Sequence, residues 1–527
     1  MNLVLIETMG NQAYIFSSNK LKENVGASQL TYKVGTTFVF DAIFQETQID
    51  LRHNNKLSDP TINKPISNSH HIEVIFAVSG KALLLVNNEA LGKKIISNVT
   101  TRVLKEAPGL EVRGVVSGLF DFNINSIHIF IGELHKNLEF LRSRLPNPSA
   151  RFQRLPIIAN CATSDLPASF VNRKKVETSS VSDKKQQNCG EGLERIRLIT
   201  ENDSKLPSTV DELEDLGCDW LGIVHADGNG LGNIFLNFDK HFIKNGTNFN
   251  AALDNRAYVD QIRLFSLALD ECTERAFKNS LAAIKSKNSG IPVVALVLGG
   301  DDLTVICDGR QALKFTKKFI DSFVEHTKNH KDITRFAIAE NGITTSAGIA
   351  IVKKHFPFYA GYTLAEELLR SAKKENKKEK PESAIDFHIL YDSSGPDLER
   401  IRAELTLNDT SLKKTLLIAR PYFVFANCSS KNSNGRKWTD LERRIQAINK
   451  EIDGRKELPN SMLHELRESL FQGKETADAK LRLVLNRYPL FSELLDDNTS
   501  LFWDSGEEFR TALLDAVDVS EFWEGIA

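Results

Sequence analysis

Two segments far apart in this chain have the same form. HIEVIFAVSGKALLLV (71–86) and VVALVLGGDDLTVIC (293–307) each hold two apolar runs broken by a tight, glycine-bearing turn. That is the pattern of a β-hairpin. The surroundings repeat as well. MNLVLIETMG reads as a short buried strand ahead of the first hairpin, with the helix-capable SSNKLKENVGASQLTYKVGTTFVFDAIFQ after it. NEALGKKIISNVTTRVLKEA, amphipathic at helical spacing, and the strand-like GLEVRGVVSGLFDF follow the hairpin. From 219 the order returns: strand DWLGIVHAD, a helix over roughly 254–287, the second hairpin, helix ALKFTKKFIDSFVEHTKNH and strand TTSAGIAIVKK. TLAEELLRSAKKENKKEK and AIDFHILYD add one helix and a last strand. A β-α-β-β-α-β order is the split-βαβ, ferredoxin-like arrangement. The chain is therefore expected to be α+β, with two tandem ferredoxin-like copies of one fold over residues 1–160 and 218–396.

Residues 161–217 separate the copies. Their stretch VNRKKVETSSVSDKKQQNCGEG has little to bury and reads as a polar linker or insertion. Beyond 397 the strand patterns stop. LERIRAEL, DLERRIQAINKEI, SMLHELRESLFQG and TADAKLRLVLNRY carry helical spacing, so a helical C-terminal domain over 397–527 is expected. Lysine plus arginine total 67 against 69 acids, a net charge of −2, which excludes a histone-like basic protein. No apolar stretch is long enough for a membrane span, and the N-terminus lacks the pattern of a secretory signal. The six cysteines, Cys161, Cys189, Cys218, Cys272, Cys307 and Cys428, form no CxxC pair. A zinc site of closely spaced pairs is thus unsupported, and a cytoplasmic location is expected.

The residues able to do chemistry gather at the second hairpin. Gly299 and Gly300 precede Asp301 and Asp302 in its turn. Two adjacent carboxylates are costly unless a cation neutralises them, and the glycines let a phosphorylated ligand approach the backbone. The plain alternative is a surface turn, since Gly and Asp are turn residues. Asp227 ends the strand DWLGIVHAD and is followed by Gly228, Asn229, Gly230 and Gly232. In a split-βαβ sheet that strand neighbours the hairpin, which would bring Asp227 beside Asp301 and Asp302. Three carboxylates at one sheet edge suit Mg²⁺, or Mn²⁺ in its place, with substrate phosphates completing the shell. Lys373, ending a helix, could reach those phosphates, or could be part of a solvated basic run with Lys374, Lys377, Lys378 and Lys380. Ser346, with Gly348, could line a nucleotide cleft or pack a small-residue strand against a helix. His225, inside an apolar strand, reads as a core histidine. The first copy has Ser79-Gly80-Lys81 at its turn and only Glu7 on its first strand, so it cannot build the same site. Its Gly26 and Ser28 could touch a second nucleotide across the two copies, or could mark a helix boundary.

HADGNGLG followed by LGGDDLTVI resembles the palm-type polymerases and cyclases. With YIFSSNKLKENVGASQL, TTSAGIAIVKKHFPFYAGYTLAEELLRSAKK and SAIDFHIL, the closer resemblance is to the large palm-domain subunit of type III CRISPR effector complexes. The GGDEF diguanylate cyclases share the acidic turn and fit the rest less well. The resemblance implies two palm domains. It also implies conversion of ATP into a cyclic oligoadenylate messenger for antiviral defence. Asp227, Asp301 and Asp302 would be the metal carboxylates, and Lys373 the triphosphate contact. Ser346 would lie in the pocket strand, with Gly26 and Ser28 facing the second nucleotide. Other effector subunits and guide or target RNA are the implied partners. Neither an HD nuclease domain nor the four-cysteine zinc module often found in the family is expected here. The competing expectations are a scaffold subunit that binds RNA or protein, in part through Arg173, Lys174 and Lys175, and a dinucleotide cyclase of the GGDEF kind.

Overall fold

The computed structural model of the protein describes residues 1–527 apart from 53–56, 145–147, 202–205, 243–248, 285–289, 336–340, 375–381, 392–394, 409–412, 426–434, 453–454, 457, 496–499, 507 and 524–527. Lys377, Lys378, Lys380 and Cys428 lie outside the described residues. In the first copy, β1 (Asn2–Met9) is followed by α1 (Asn11–Ile15), α2 (Leu21–Gly35) and α3 (Thr37–Thr47). The hairpin β2 (Ile72–Val78) and β3 (Lys81–Val86), then α4 (Glu89–Glu106), β4 (Glu111–Val116) and α5 (Ile127–Arg144), complete it. Leu3 and Leu5 of β1 enter one apolar cluster, while Val4 and Ile6 enter another, so this strand is buried on both faces. Asn88 caps α4 through Oδ1, which accepts from Leu91 N at 2.9 Å. The sheet order is β2-β3-β1-β4.

The segment expected to be a linker is instead structured. A small hairpin, β5 (Phe170–Val171) and β6 (Glu177–Thr178), carries Arg173, Lys174 and Lys175 exposed at its tip. Then comes α6 (Ser180–Thr200), capped by Ser179, whose Oγ accepts from Ser182 N at 3.1 Å. Its buried stripe of Val181, Lys185, Cys189, Gly192 and Ile196 packs on α2. Small and polar residues make much of that stripe, which is why hydrophobic periodicity passes over it. Lys185 is 1% exposed and its Nζ donates to Tyr14 O and, at 2.8 Å, to Ser17 Oγ. Burial pulls its pKa down to about 8.

After α7 (Val210–Asp215), the second copy runs β7 (Trp220–Gly228), α8 (Leu231–Leu236), α9 (Phe238–Phe242), α10 (Ala251–Leu281), β8 (Val293–Gly299) and β9 (Asp302–Asp308). It continues with α11 (Ala312–Asn329), α12 (Lys331–Thr334), β10 (Thr345–Lys353), α13 (Phe358–Lys374) and β11 (Ala384–Ile389). In α11, Leu313, Thr316, Ile320, Phe323 and Thr327 recur at three- and four-residue spacing and are all buried. Four strands lie in the order β10-β7-β9-β8, which repeats the β4-β1-β3-β2 order of the first sheet. β11 extends this sheet parallel to β10.

The C-terminal region departs from the all-helical expectation. It opens with α14 (Leu398–Glu404), β12 (Thr406–Asn408), β13 (Lys414–Leu416) and β14 (Tyr422–Phe423), the last joining the edge of the second-copy sheet beside β11. α15 (Trp438–Asn449), the hairpin β15 (Glu451–Ile452) and β16 (Arg455–Lys456), α16 (Asn460–Leu470) and α17 (Lys474–Arg487) follow. β17 (Trp503–Asp504), β18 (Glu508–Arg510) and α18 (Leu513–Ser520) close the chain, with a sheet ordered β12-β13-β18-β17. These strands have two or three residues each, too few for a period-two alternation to be read.

The two copies form a shared core, because both large apolar clusters contain residues from each. Polar clamps join them. Glu73 of β2 is fully buried and receives Arg256 Nη1 at 2.8 Å and the Arg263 guanidinium, both from α10. Arg263 Nε also donates to Val74 O at 3.0 Å. Removing either partner would leave a buried charge exposed to a low-dielectric surrounding. α10 is thus laid firmly against the first copy. Among the described residues no helix is long and apolar enough to cross a membrane.

Candidate active site

β7 and β9 pair so that Asp227 lies opposite Asp302, and Ser346 of β10 opposes Asp227 from the other side. Gly300 has φ +62°, in the left-handed region open to glycine, and turns the chain from β8 into β9. Gly228 makes room in the same way: a Cβ there would stand 2.9 Å from Asp301 Oδ2 and 2.4 Å from Leu231 Cδ1. Its bare backbone lets the Asp301 carboxylate lie over β7. The three acids expected to meet do meet. Burial first, then the charges of Asp227 and Asp302 and a hydrogen bond shared with Asp227, raise the Asp301 pKa well above its ordinary value. Burial and the charge of Asp227 raise that of Asp302, with Glu366 adding to the rise and Lys373 opposing it.

Lys373, at the end of α13, places its ammonium on Asp227 Oδ2 and 3.2 Å from Gly228 O. Among the described residues Lys373 is thus the cation placed on the three carboxyl groups. The Asp302 side chain keeps 36% exposure, yet its Oδ1 is enclosed and accepts no hydrogen bond. His225 Nδ1 stands 3.4 Å from that oxygen but is engaged with Thr304 Oγ1 at 3.0 Å. His225 is 4% exposed, and its burial lowers its pKa, in keeping with a neutral core histidine. An orphaned carboxylate oxygen in a cluster short of positive charge, with hard oxygen donors only, fits a divalent cation such as Mg²⁺ chemically. Among the described residues no three His, Cys, Asp or Glu side chains form a ready-made metal cage. Lys373 already holds Asp227.

Other expected site residues are taken up in packing and internal hydrogen bonds. Ser346 is fully buried and donates from Oγ to Asn229 Oδ1 at 3.0 Å. Asn229 in turn donates to Thr344 Oγ1 and Glu382 O, so Ser346 holds the glycine-rich loop rather than opening on a cleft. Gly26 sits where α2 crosses α6: a Cβ there would come within 1.6 Å of Lys185 O. No ligand can approach that face of Gly26, and its role is helix packing. Ser28, 8% exposed, is buried in the same helix. Both fall outside the cleft because the segment taken for a linker covers α2.

A cleft of about 210 Å³ separates the two turns. Glu7, Thr8, Asn11 and Lys81 line it from the first copy and Gly299, Gly300 and Asp301 from the second. Sequence reasoning missed the groups that support the acidic turn from below, Asp270 and Thr273 of α10 and Arg195 of α6. Asp270 Oδ1 accepts from Gly300 N at 2.8 Å, and Thr273 Oγ1 donates to Gly300 O. The available signal was a threonine placed within the apolar stripe Ile262, Leu269, Ala276 of α10.

Sheet order, turn and acids together define a protein of two ferredoxin-like palm domains, one of them carrying a carboxylate cluster. Within the second of these domains, residues 220–381 match the family model Cas10/Cmr2, second palm domain. No curated protein sequence matches the chain. Solved structures match over nearly its whole length. A Csm1-Csm4 cassette in complex with pppApApA aligns at TM-score 0.57 and 12% identity, covering 99% of this chain and 69% of that one. The cassette in complex with AMPPNP aligns at 0.54 and 11%, with the same coverage. Csm1 in T. onnurineus aligns at 0.53 and 12%, again covering 99% and 69%. At such identities the likeness is one of fold, and it agrees with the α+β tandem arrangement.

Proposed function

We propose that this protein is a nucleotidyltransferase that joins ATP into a cyclic oligonucleotide messenger in CRISPR-type antiviral defence. The observation that carries the reading is the convergence of Asp227, Asp301 and Asp302 on a glycine turn facing the other palm. Further support comes from the structures of like fold that hold AMPPNP and pppApApA. Mg²⁺, or Mn²⁺, would be held by the three aspartates and would neutralise charge on the transferring phosphate. Lys373 would exchange its contact with Asp227 for the triphosphate as substrate enters. One nucleotide would rest on the second palm, and another, across the cleft, would present a ribose hydroxyl. That hydroxyl oxygen forms a bond to the α-phosphorus while the bond to the β-phosphate oxygen breaks, and pyrophosphate leaves with the electron pair. The hydroxyl proton would pass to solvent water as the new bond forms. Positioning and electrostatics carry most of such a reaction.

The test is the mass of products formed from ATP, GTP, CTP and UTP with Mg²⁺. A cyclic product should appear with the intact protein and fall by about a thousandfold or more in Asp301→Ala/Asp302→Ala, as expected for loss of a charge-neutralising site. Equal synthesis by the variant sinks the site assignment. A cyclic dinucleotide would favour the GGDEF kind of cyclase. The scaffold reading draws on the exposed Arg173–Lys175 tip and on the Lys373 contact that occupies Asp227. It is favoured if no product forms and nucleotide binding proves independent of Mg²⁺. Other effector subunits and guide RNA are the partners this proposal implies.

A further inference from the structure

The two turns are held in different ways. In the first palm, Gly80 O accepts from Thr8 N at 2.7 Å and from Thr8 Oγ1 at 3.0 Å, so the neighbouring strand secures the turn. Glu7 opposes Lys81 there as Asp227 opposes Asp302 in the second palm, which makes Gly228 the counterpart of Thr8. Gly228 has no hydroxyl to offer, and the space of its missing side chain is taken by the Asp301 carboxylate. In the second turn the support comes from α10 and falls one residue earlier, on Gly300, the counterpart of Ser79. Gly300 N donates to Asp270 Oδ1 at 2.8 Å, and Gly300 O receives Thr273 Oγ1. These two side chains are three residues apart and project from one helix face. Thr273 has a single hydroxyl proton and also faces Leu269 O at 3.0 Å, so Asp270 is the firmer grip. Arg195 lies near enough to act on the Asp270 charge, and its Nη1 reaches Leu298 O at 3.4 Å, one residue before the turn.

We propose that Asp270, assisted by Thr273, is a positioning residue that holds the Gly300 peptide so that Asp301 faces the cleft and Asp302 stays opposite Asp227. This rests on the reading of the acidic turn as the reacting site. The α10 helix is itself clamped to the first palm through Glu73, so the grip ties the turn to the frame of both domains.

The experiment compares the intact protein with Asp270→Ala, Asp270→Asn and Thr273→Val by hydrogen–deuterium exchange over 298–303 and by product formation. Asn keeps an acceptor for Gly300 N, whereas Ala does not. Exchange at the turn should rise about tenfold or more in Asp270→Ala, with β7 and β10 unchanged. Turnover should fall by about tenfold or more while KM for ATP stays within about threefold, since the loss is one of positioning. Asp270→Asn should return both readouts to within about threefold of the intact protein, and Thr273→Val should lie between the two. Unchanged turn exchange in Asp270→Ala overturns the proposal, as does an Asn variant as damaged as the Ala one. If the intact protein makes no product and binds ATP independently of Mg²⁺ but the exchange pattern appears, the grip stands and the cyclase reading on which it rests falls.

Discussion

The two palms carry the same sheet and the same hairpin, yet their turns are electrostatic opposites. At matching register the first palm sets Glu7 against Lys81, with Nζ 3.1 Å from Oε2, and Arg113 opposes Glu7 on its other side. The second sets Asp227 against Asp302, with the neutral Ser346 on its other side. One turn is neutral as built. Among the described residues the other sets three carboxyl groups with one lysine, drawn from a helix rather than from the sheet. A duplicated fold thus supplies a frame, and a few exchanges at one edge decide which copy gathers carboxylates. The first palm is left to offer a wall.

The contrast can be broken from the cation side. Lys373→Met should weaken ATP binding by about 10- to 100-fold, the worth of a charge-assisted hydrogen bond, when measured by calorimetry. Unchanged affinity would mean that Lys373 only balances Asp227. Gly26→Ala should lower stability by about 1–3 kcal/mol in denaturant unfolding, from forced overpacking of α2 on α6. A specific loss of nucleotide affinity without destabilisation would restore Gly26 to the site.

Proton linkage tests the repulsion itself. The Asp301 and Asp302 pKa values are raised above the ordinary 3.8, so the folded state binds more protons than the unfolded one across that window. Stability without divalent cations should therefore fall as pH climbs from 3.8 through the raised values. Asp301→Asn/Asp302→Asn should lose that part of the slope in thermal melts. Glu274, whose pKa is pushed up to about 7 by burial, keeps its share in both proteins, so the difference between the two curves isolates the turn. The smallest effect is expected in the first palm. Lys81→Ala should cost under about 1 kcal/mol, because the pair is partly exposed. A loss of turnover as large as that of Lys373→Met would show that the first turn takes part in the reaction.

Much of this arrangement was legible in the sequence because its signals are local. Apolar runs around 79–80 and 299–302 announce hairpins, and Asp227 at a strand end predicts its neighbour once the split-βαβ order is seen. α6 was hidden because its contact stripe is small and polar, and a helix that buries Gly192 and Cys189 looks like a linker. The short strands from β12 to β18 were hidden by their length. For Ser346 and Gly26 packing and binding both stayed open, because a small residue next to a functional segment looks the same in sequence whether it packs or binds. Asp270 was invisible for another reason: its bond to Gly300 spans 30 residues and joins a helix to a turn.

The sequence alone determined the order of elements, the doubling of the fold and the presence of acids at one turn. These depend on periodicity and on the conformational preferences of neighbouring residues. The tertiary structure alone decided which charge stands beside which acid, where Lys373 points, what holds Gly300, and that α6 closes over α2. Charge, desolvation and packing act through space, and the distances that set them exist only once the chain has folded.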